Sequence, residues 1–193
     1  MSRSMGSTNK NSRAMALLKC LFIGGAVVIS LTSPYAGHRM MKELIHLYTR
    51  KRKFQRARLL QDLKRLQNRE IIDYTELDNG EIKIVLAGKG KKLQIQFNFD
   101  TLSLSKKEPW DKTWRMVIFD IPEDKRRARE AFRQKLQQLG LYPIQKSVFI
   151  VPYRCENEVE FAATVLEVRQ HILLFLVASF EGEEKMREYF GVQ

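Results

Sequence analysis

Residues 114–153 read WRMVIFDIPEDKRRAREAFRQKLQQLGLYPIQKSVFIVPY. WRMVIFDI, at 114–121, is an apolar run of the length a buried strand wants. Pro122 follows, and its fixed φ suits the first turn of a helix. The spacing predicts a helix from there to about Leu139, with Ala128, Ala131, Phe132, Leu136 and Leu139 on one face and Gly140 as its stop. LYPIQ and SVFIVPY then read as a second and a third strand. Further on, residues 156–169 predict a helix with Phe161, Ala162, Val165 and Leu166 inward. HILLFLVAS (171–179) is a fourth strand, and 183–190 a terminal helix. The order βαββαβ describes a ferredoxin-like split βαβ unit, an antiparallel sheet with helices on one face.

Working back from that unit, TLSLSKKEPWDKT (101–113) has Ser, Lys and Pro but no period and reads as a linker. Before it lies a hairpin signal. IIDYTEL (71–77) and EIKIVLA (81–87) carry β-branched and aromatic residues, and Asp78-Asn79-Gly80 sits between them. The Asn-Gly pair predicts a type I′ turn, where both central residues take positive φ. A helix is expected over residues 51–66, with an apolar stripe of Ala57, Leu60, Leu63 and Leu66 flanked by Leu59. Its other face would carry Lys51, Gln55, Arg58, Asp62 and Arg65, side chains able to reach phosphates and base edges. A further helix is expected over 37–48. Helix, helix, basic helix and hairpin is the order of a winged helix-turn-helix.

The fold class is therefore α+β: an N-terminal winged helix-turn-helix followed by a ferredoxin-like βαββαβ domain. Residues 1–12 are expected as a disordered tail, 13–100 as the DNA-binding domain, 101–113 as the linker and 114–193 as the second domain. Residues 17–31, LLKCLFIGGAVVISL, are apolar but interrupted by Lys19 and Gly24-Gly25, and short of the roughly 20 residues a bilayer asks for. The basic residues ahead of this stretch also fit an export signal. A buried core helix is the favoured reading, and a membrane location is not expected.

Charge separates the two halves. The 193 residues hold 34 Lys and Arg against 22 Asp and Glu, a net charge of +12. Residues 1–110 carry 21 basic and 9 acidic side chains, and residues 111–193 carry 13 of each. The excess peaks between Arg39 and Arg69, with 11 basic and 2 acidic residues. One basic module joined to a neutral one points to polyanion binding by the first and another task for the second. Cys20 and Cys155 have no ligand-spaced partner, so neither a disulfide framework nor a zinc site is expected, and a reducing, cytoplasmic setting fits them. There is no P-loop, dinucleotide fingerprint or Ser-His-Asp arrangement.

Two stretches carry a family resemblance. RARLLQDLKRLQNREIIDYTELDNGEIKIVLAGKGKK (56–92) resembles the recognition helix and wing of bacterial winged-helix regulators. That resemblance implies Lys51, Gln55 and Arg58 as base or phosphate readers, Arg65 beside them, and Lys83 on the wing as a backbone contact. Asp62 would pair with Arg58 and Arg65. FDIPEDKRRAREAFRQKLQQLGLYPIQKSVFIVPY (119–153) resembles the core of the Cas-two family of CRISPR adaptation proteins. It is more similar still to the central domain of the PaaX-like regulators, repressors of phenylacetate catabolism, in which that domain follows a winged helix. Full PaaX-like repressors have a further C-terminal domain and respond to an acyl-CoA. This chain stops at Gln193, so the small-molecule effector stays open.

In the Cas-two family the Asp matching Asp120 is implicated in metal-dependent phosphodiester cleavage. Mg²⁺ or Mn²⁺ would need further oxygens, with Glu123 and Asp124 in the next loop or a second Asp120 across a dimer axis as candidates. The bland alternative is that Asp120 hydrogen-bonds the backbone at the strand-to-helix turn. The reading that follows is a cytoplasmic, homodimeric regulator binding double-stranded DNA, a repressor by resemblance, with no cofactor. The rival is a metal-dependent nuclease or CRISPR adaptation subunit using Asp120 as metal ligand and catalytic residue.

Overall fold

The computed structural model describes residues 13–24, 26–29, 48–50, 53–54, 56–106 and 109–193. The tail expected at 1–12 and the helix expected at 37–48 fall outside these, apart from Tyr48. The chain forms two compact units, Met1–Asn98 and Phe99–Gln193.

In the first unit, helix α1 (Arg13–Gly24) buries Leu17, Leu18, Leu21 and Phe22. The core helix expected over 17–31 therefore ends at Gly24. Ala-Val-Val-Ile beyond it, with three β-branched side chains, forms strand β1 (Ala26–Ile29) instead, as such side chains prefer. Strands β2 (Thr49–Arg50) and β3 (Lys53–Phe54) pair antiparallel, Thr49 opposite Phe54. Helix α2 then runs Arg56–Asn68 rather than from Lys51. Arg, Leu, Gln and Lys dominate it, residues that lose little rotamer freedom in a helix. It ends where Glu70 takes φ 57, with the Ile71 N–H donating to Leu66 O at 3.1 Å.

Strands β4 (Ile72–Glu76) and β5 (Ile82–Leu86) form the hairpin, and β1 adds to β5, giving a sheet of order β1-β5-β4. The turn differs from the expected type I′. Only Gly80 has positive φ (79°), and Leu77 closes a three-residue loop by donating to Glu81 O while accepting from Gly80 N, both at 2.8 Å. One left-handed glycine after a turn is the G1-bulge pattern. Ile72, Ile82 and Ile84 of this sheet meet Leu59, Leu63 and Leu66 of α2 and Leu17 and Leu21 of α1 in one core.

Helix α3 (Gly88–Thr101) has no counterpart in the sequence reading. It opens on Gly-Lys-Gly and continues LQIQFNF, an alternation that hides the helical period. Leu93 and Phe97 pack on the N-terminal core, and Gln94 Nε2 donates to Phe22 O at 2.7 Å. Gly90 is required here: a Cβ would stand 1.9 Å from the Ile71 carbonyl oxygen.

The second unit has the strand order β7-β8-β6-β9, every pair antiparallel. Its strands are β6 (Trp114–Phe119), β7 (Tyr142–Gln145), β8 (Val148–Val151) and β9 (Ile172–Val177). Two helices separate them. Pro122 opens a short 3₁₀ turn, Glu123–Lys125, and helix α4 starts only at Arg126, running to Gln138. Helix α5 (Glu156–Val165) stops four residues before its expected end. Glu167 takes φ 57, and Val168 N reaches back to Ala163 O at 2.9 Å, a left-handed close made without glycine. Helix α6 is Glu183–Phe190. Val117, Phe119, Phe132, Leu136, Phe149, Val151, Val159 and Ala162 form the core between sheet and helices. This is the expected ferredoxin-like βαββαβ unit, and the chain as a whole is α+β.

Candidate nucleic-acid interface

Helix α2 turns Leu59, Asp62, Leu63 and Leu66 inward. Its buried face is thus rotated from the expected stripe: Ala57 is exposed, and Leu60 is only partly buried. The outward face consequently carries Arg58, Gln61, Lys64, Arg65 and Asn68, all exposed. The sequence reading named Arg58 and Arg65 but missed Gln61, Lys64 and Asn68, because it took Asp62 for an outward residue. Projecting the stripe from Leu59 and Leu63 would have found them. Lys51 and Gln55 lie outside the described residues.

Asp62 is the correction with the clearest cause. Its side chain, 7% exposed, accepts from Arg13 Nε at 3.1 Å and from the Tyr48 hydroxyl at 3.0 Å. Arg13 also stands over the Tyr48 ring, 5.6 Å from its centroid. Burial, and then the Asp62 carboxylate, push the Tyr48 phenol well above its usual range. Of the expected partners, only Arg65 approaches, at 3.9 Å, and Arg58 does not. Asp62 therefore clamps α1 and the chain at Tyr48 onto α2, and its negative charge is withdrawn from the outward face.

Lys83 is exposed, but it lies mid-strand in β5, opposite Val28 and Thr75, rather than at the hairpin tip. The tip itself is acidic. It holds Asp78 and Glu81, and Glu76 beside it is ion-paired with Arg56 at the start of α2.

In the second unit, the carboxylate of Asp120 is exposed and makes no hydrogen bond or ion pair among the described residues. The turn is held by the backbone instead, with Asp120 N donating to His171 O at 3.0 Å. Asp120 shares a cleft of about 270 Å³ with Arg129, Arg133, Lys146, Glu123 and Glu130. Glu123 is taken by Arg129 at 2.8 Å, and that arginine's Nη1 donates to Ile121 O at 3.2 Å. Arg129 draws the Glu123 carboxyl below its ordinary pKa. No group of three or more His, Cys, Asp or Glu able to hold a metal occurs among the described residues.

One buried group went unread in the sequence. Arg115, within the apolar β6, is 4% exposed. It holds Asp111 through both carboxylate oxygens at 2.6 and 2.5 Å, donates to Thr113 O and Pro152 O, and reaches Glu156 at 3.3 Å. Its hydrogen bonds bring the Asp111 pKa down to about 2.

The strand order and two helices define the second unit as a ferredoxin-like domain. Residues 107–189 match the family described as the PaaX protein central Cas2-like domain, and in this part the chain is PaaX-like. No curated protein matches the chain. No helix among the described residues is long and apolar enough to cross a membrane.

Proposed function

We propose that the protein is a cytoplasmic transcriptional regulator that binds double-stranded DNA as a homodimer, acting as a repressor. The observation that carries this reading is the outward face of α2: Arg58, Gln61, Lys64, Arg65 and Asn68 with no acidic side chain among them, beside a hairpin and joined to a PaaX-type domain. Arginine and lysine neutralise phosphates, and Arg, Gln and Asn hydrogen-bond base edges in the major groove.

The homodimer is supported by the second unit's edge strand. β9 leaves Leu173 and Phe175 61% and 45% exposed on the sheet face away from the helices, opposite Ile118 and Met116. An uncovered apolar edge favours pairing with another chain.

Arg58→Ala tests the assignment of α2. Duplex affinity should fall by about 1–3 kcal/mol with the melting temperature unchanged. Unaltered affinity in a fluorescence titration would remove α2 from the interface. Light scattering should give twice the chain mass, and Leu173→Glu with Phe175→Glu should halve it; a wild-type monomer at micromolar concentration would sink the dimer.

A further inference from the structure

The first unit has a second cationic surface, outside α2's outward face. The turn after α2 and the start of α3 meet at the beginning of β4, where Ala87 N donates to Ile71 O at 3.0 Å. The missing Cβ of Gly90 lets α3 lie directly on that carbonyl. The result is a groove of about 520 Å³ with Arg69, Lys89 and Lys92 around a floor of Ile71 and Leu93. Lys91 is exposed on the adjoining helical turn. Arg69, Lys91 and Lys92 have no carboxylate partner among the described residues, and Lys89 has one, Glu70, at 2.7 Å.

We infer that this groove grips the phosphodiester backbone of the same duplex that α2 reads, in place of the hairpin tip. The inference rests on the α2 assignment above and adds the residues that fix its register. A helix of 13 residues is about 20 Å long, while the major groove is roughly 12 Å wide, so its ends reach the flanking phosphate strands. At the N-terminal end of α2 the hairpin offers Glu76, Asp78 and Glu81, and Glu76 already occupies Arg56. These acids make the hairpin tip a poor phosphate contact. At the C-terminal end phosphate meets Arg69, Lys89 and Lys92, which line the groove together with Ile71 and Leu93. Contacts of this kind position a protein without reading sequence.

The test uses the full chain, a fluorescein-labelled duplex of mixed sequence and titrations over a range of salt. The combined variant Arg69→Gln, Lys89→Gln, Lys92→Gln should flatten the plot of log affinity against log salt by roughly 0.9 for each phosphate that is no longer neutralised. Glu70→Gln, which releases Lys89, should tighten binding. Equal melting curves establish that the variants fold. An unchanged slope in the triple variant, with the wild type binding and Arg58→Ala weakened, overturns the groove and leaves the regulator reading standing. A wild type that binds no duplex at low salt overturns the regulator reading first, and the groove with it. Loss of binding to phosphatidylglycerol vesicles in the triple variant, with the duplex slope unaltered, also overturns the inference, since the surface would then serve a membrane.

Discussion

The two units spend their cations differently. In the second, most arginines are held by carboxylates: Arg115 by Asp111 and Glu156, Arg126 and Arg129 by Glu123, Arg169 by Glu160 and Arg187 by Glu183. In the first, Arg13 and Arg65 reach Asp62 and Arg56 reaches Glu76, but Arg58, Lys64 and Arg69 have no carboxylate partner among the described residues, and the one acid of α2 is turned into the core. An arginine already bound to a carboxylate has little to offer a phosphate. A free one has its full charge available, and a net charge of +12 for the whole chain is concentrated where the free ones are. The contrast separates a surface prepared for a polyanion from a body whose charges hold it together.

The largest effect should come from removing the internal use of charge. Arg115→Met removes at once the hydrogen bonds that this side chain donates to Asp111, Glu156, Thr113 O and Pro152 O. Loss of one partner from a buried ion pair costs about 3–5 kcal/mol, and the part exposure of Asp111 puts the expected loss near the lower figure. Calorimetry should show it as a fall in melting temperature, while duplex affinity below the transition stays at the wild-type value. The same pair sets an acid limit. The Asp111 carboxyl is depressed in the folded state to about 2, so its stabilisation is complete above the unfolded value near 4. It is then lost as pH falls through the folded value. Stability should decline between those limits in the wild type, and the Asp111 share of that slope should vanish in Arg115→Met. A variant as stable as the wild type would break the comparison.

Next in size is Asp62→Ala. It leaves the Tyr48 hydroxyl and Arg13 without their shared acceptor in a nearly closed site, at about 1–3 kcal/mol. The direction of its effect on DNA separates two placements. An outward Asp62 would repel phosphate, so its removal would tighten binding. Buried, it supports α2, and the variant should bind equally or less well once folded. Tighter binding with unchanged stability would return Asp62 to the surface.

Much of the second unit was legible because its signals are local and agree. Apolar runs, Gly140 and a period of 3.6 in α4 each point to the same element. Errors fall where a tertiary contact decides. The phase of α2 was misread because a carboxylate was assumed to face water, whereas Arg13 and Tyr48, distant in sequence, solvate it inside. α3 was unread because its two opening glycines look like a loop, and the need for Gly90 is visible only with Ile71 beside it. α5 ended early at a left-handed Glu167, which no residue type announces. Arg115 passed unread inside an apolar run, because its partners come from the linker and from α5.

Asp120→Asn should have the smallest effect, and it tests whether the second unit does chemistry. The turn around Asp120 is held by its backbone N–H and by Arg129 on Ile121 O, and its own carboxylate accepts no hydrogen bond among the described residues. Stability should therefore change by less than about 0.5 kcal/mol, as for other exposed sites without a special contact. For cleavage, a divalent ion wants several oxygens and little competition from fixed cations. The cleft gives Asp120 the neighbours Arg129, Arg133 and Lys146, and its nearest acid in the loop, Glu123, is already held by Arg129. Such a site favours an anion over Mg²⁺ or Mn²⁺. Wild type incubated with either metal and with duplex or single-stranded substrate should leave it uncut, and Asp120→Asn should bind duplex as the wild type does. Metal-dependent cleavage that disappears in Asp120→Asn would overturn this, and would mean that a second chain supplies the missing oxygens.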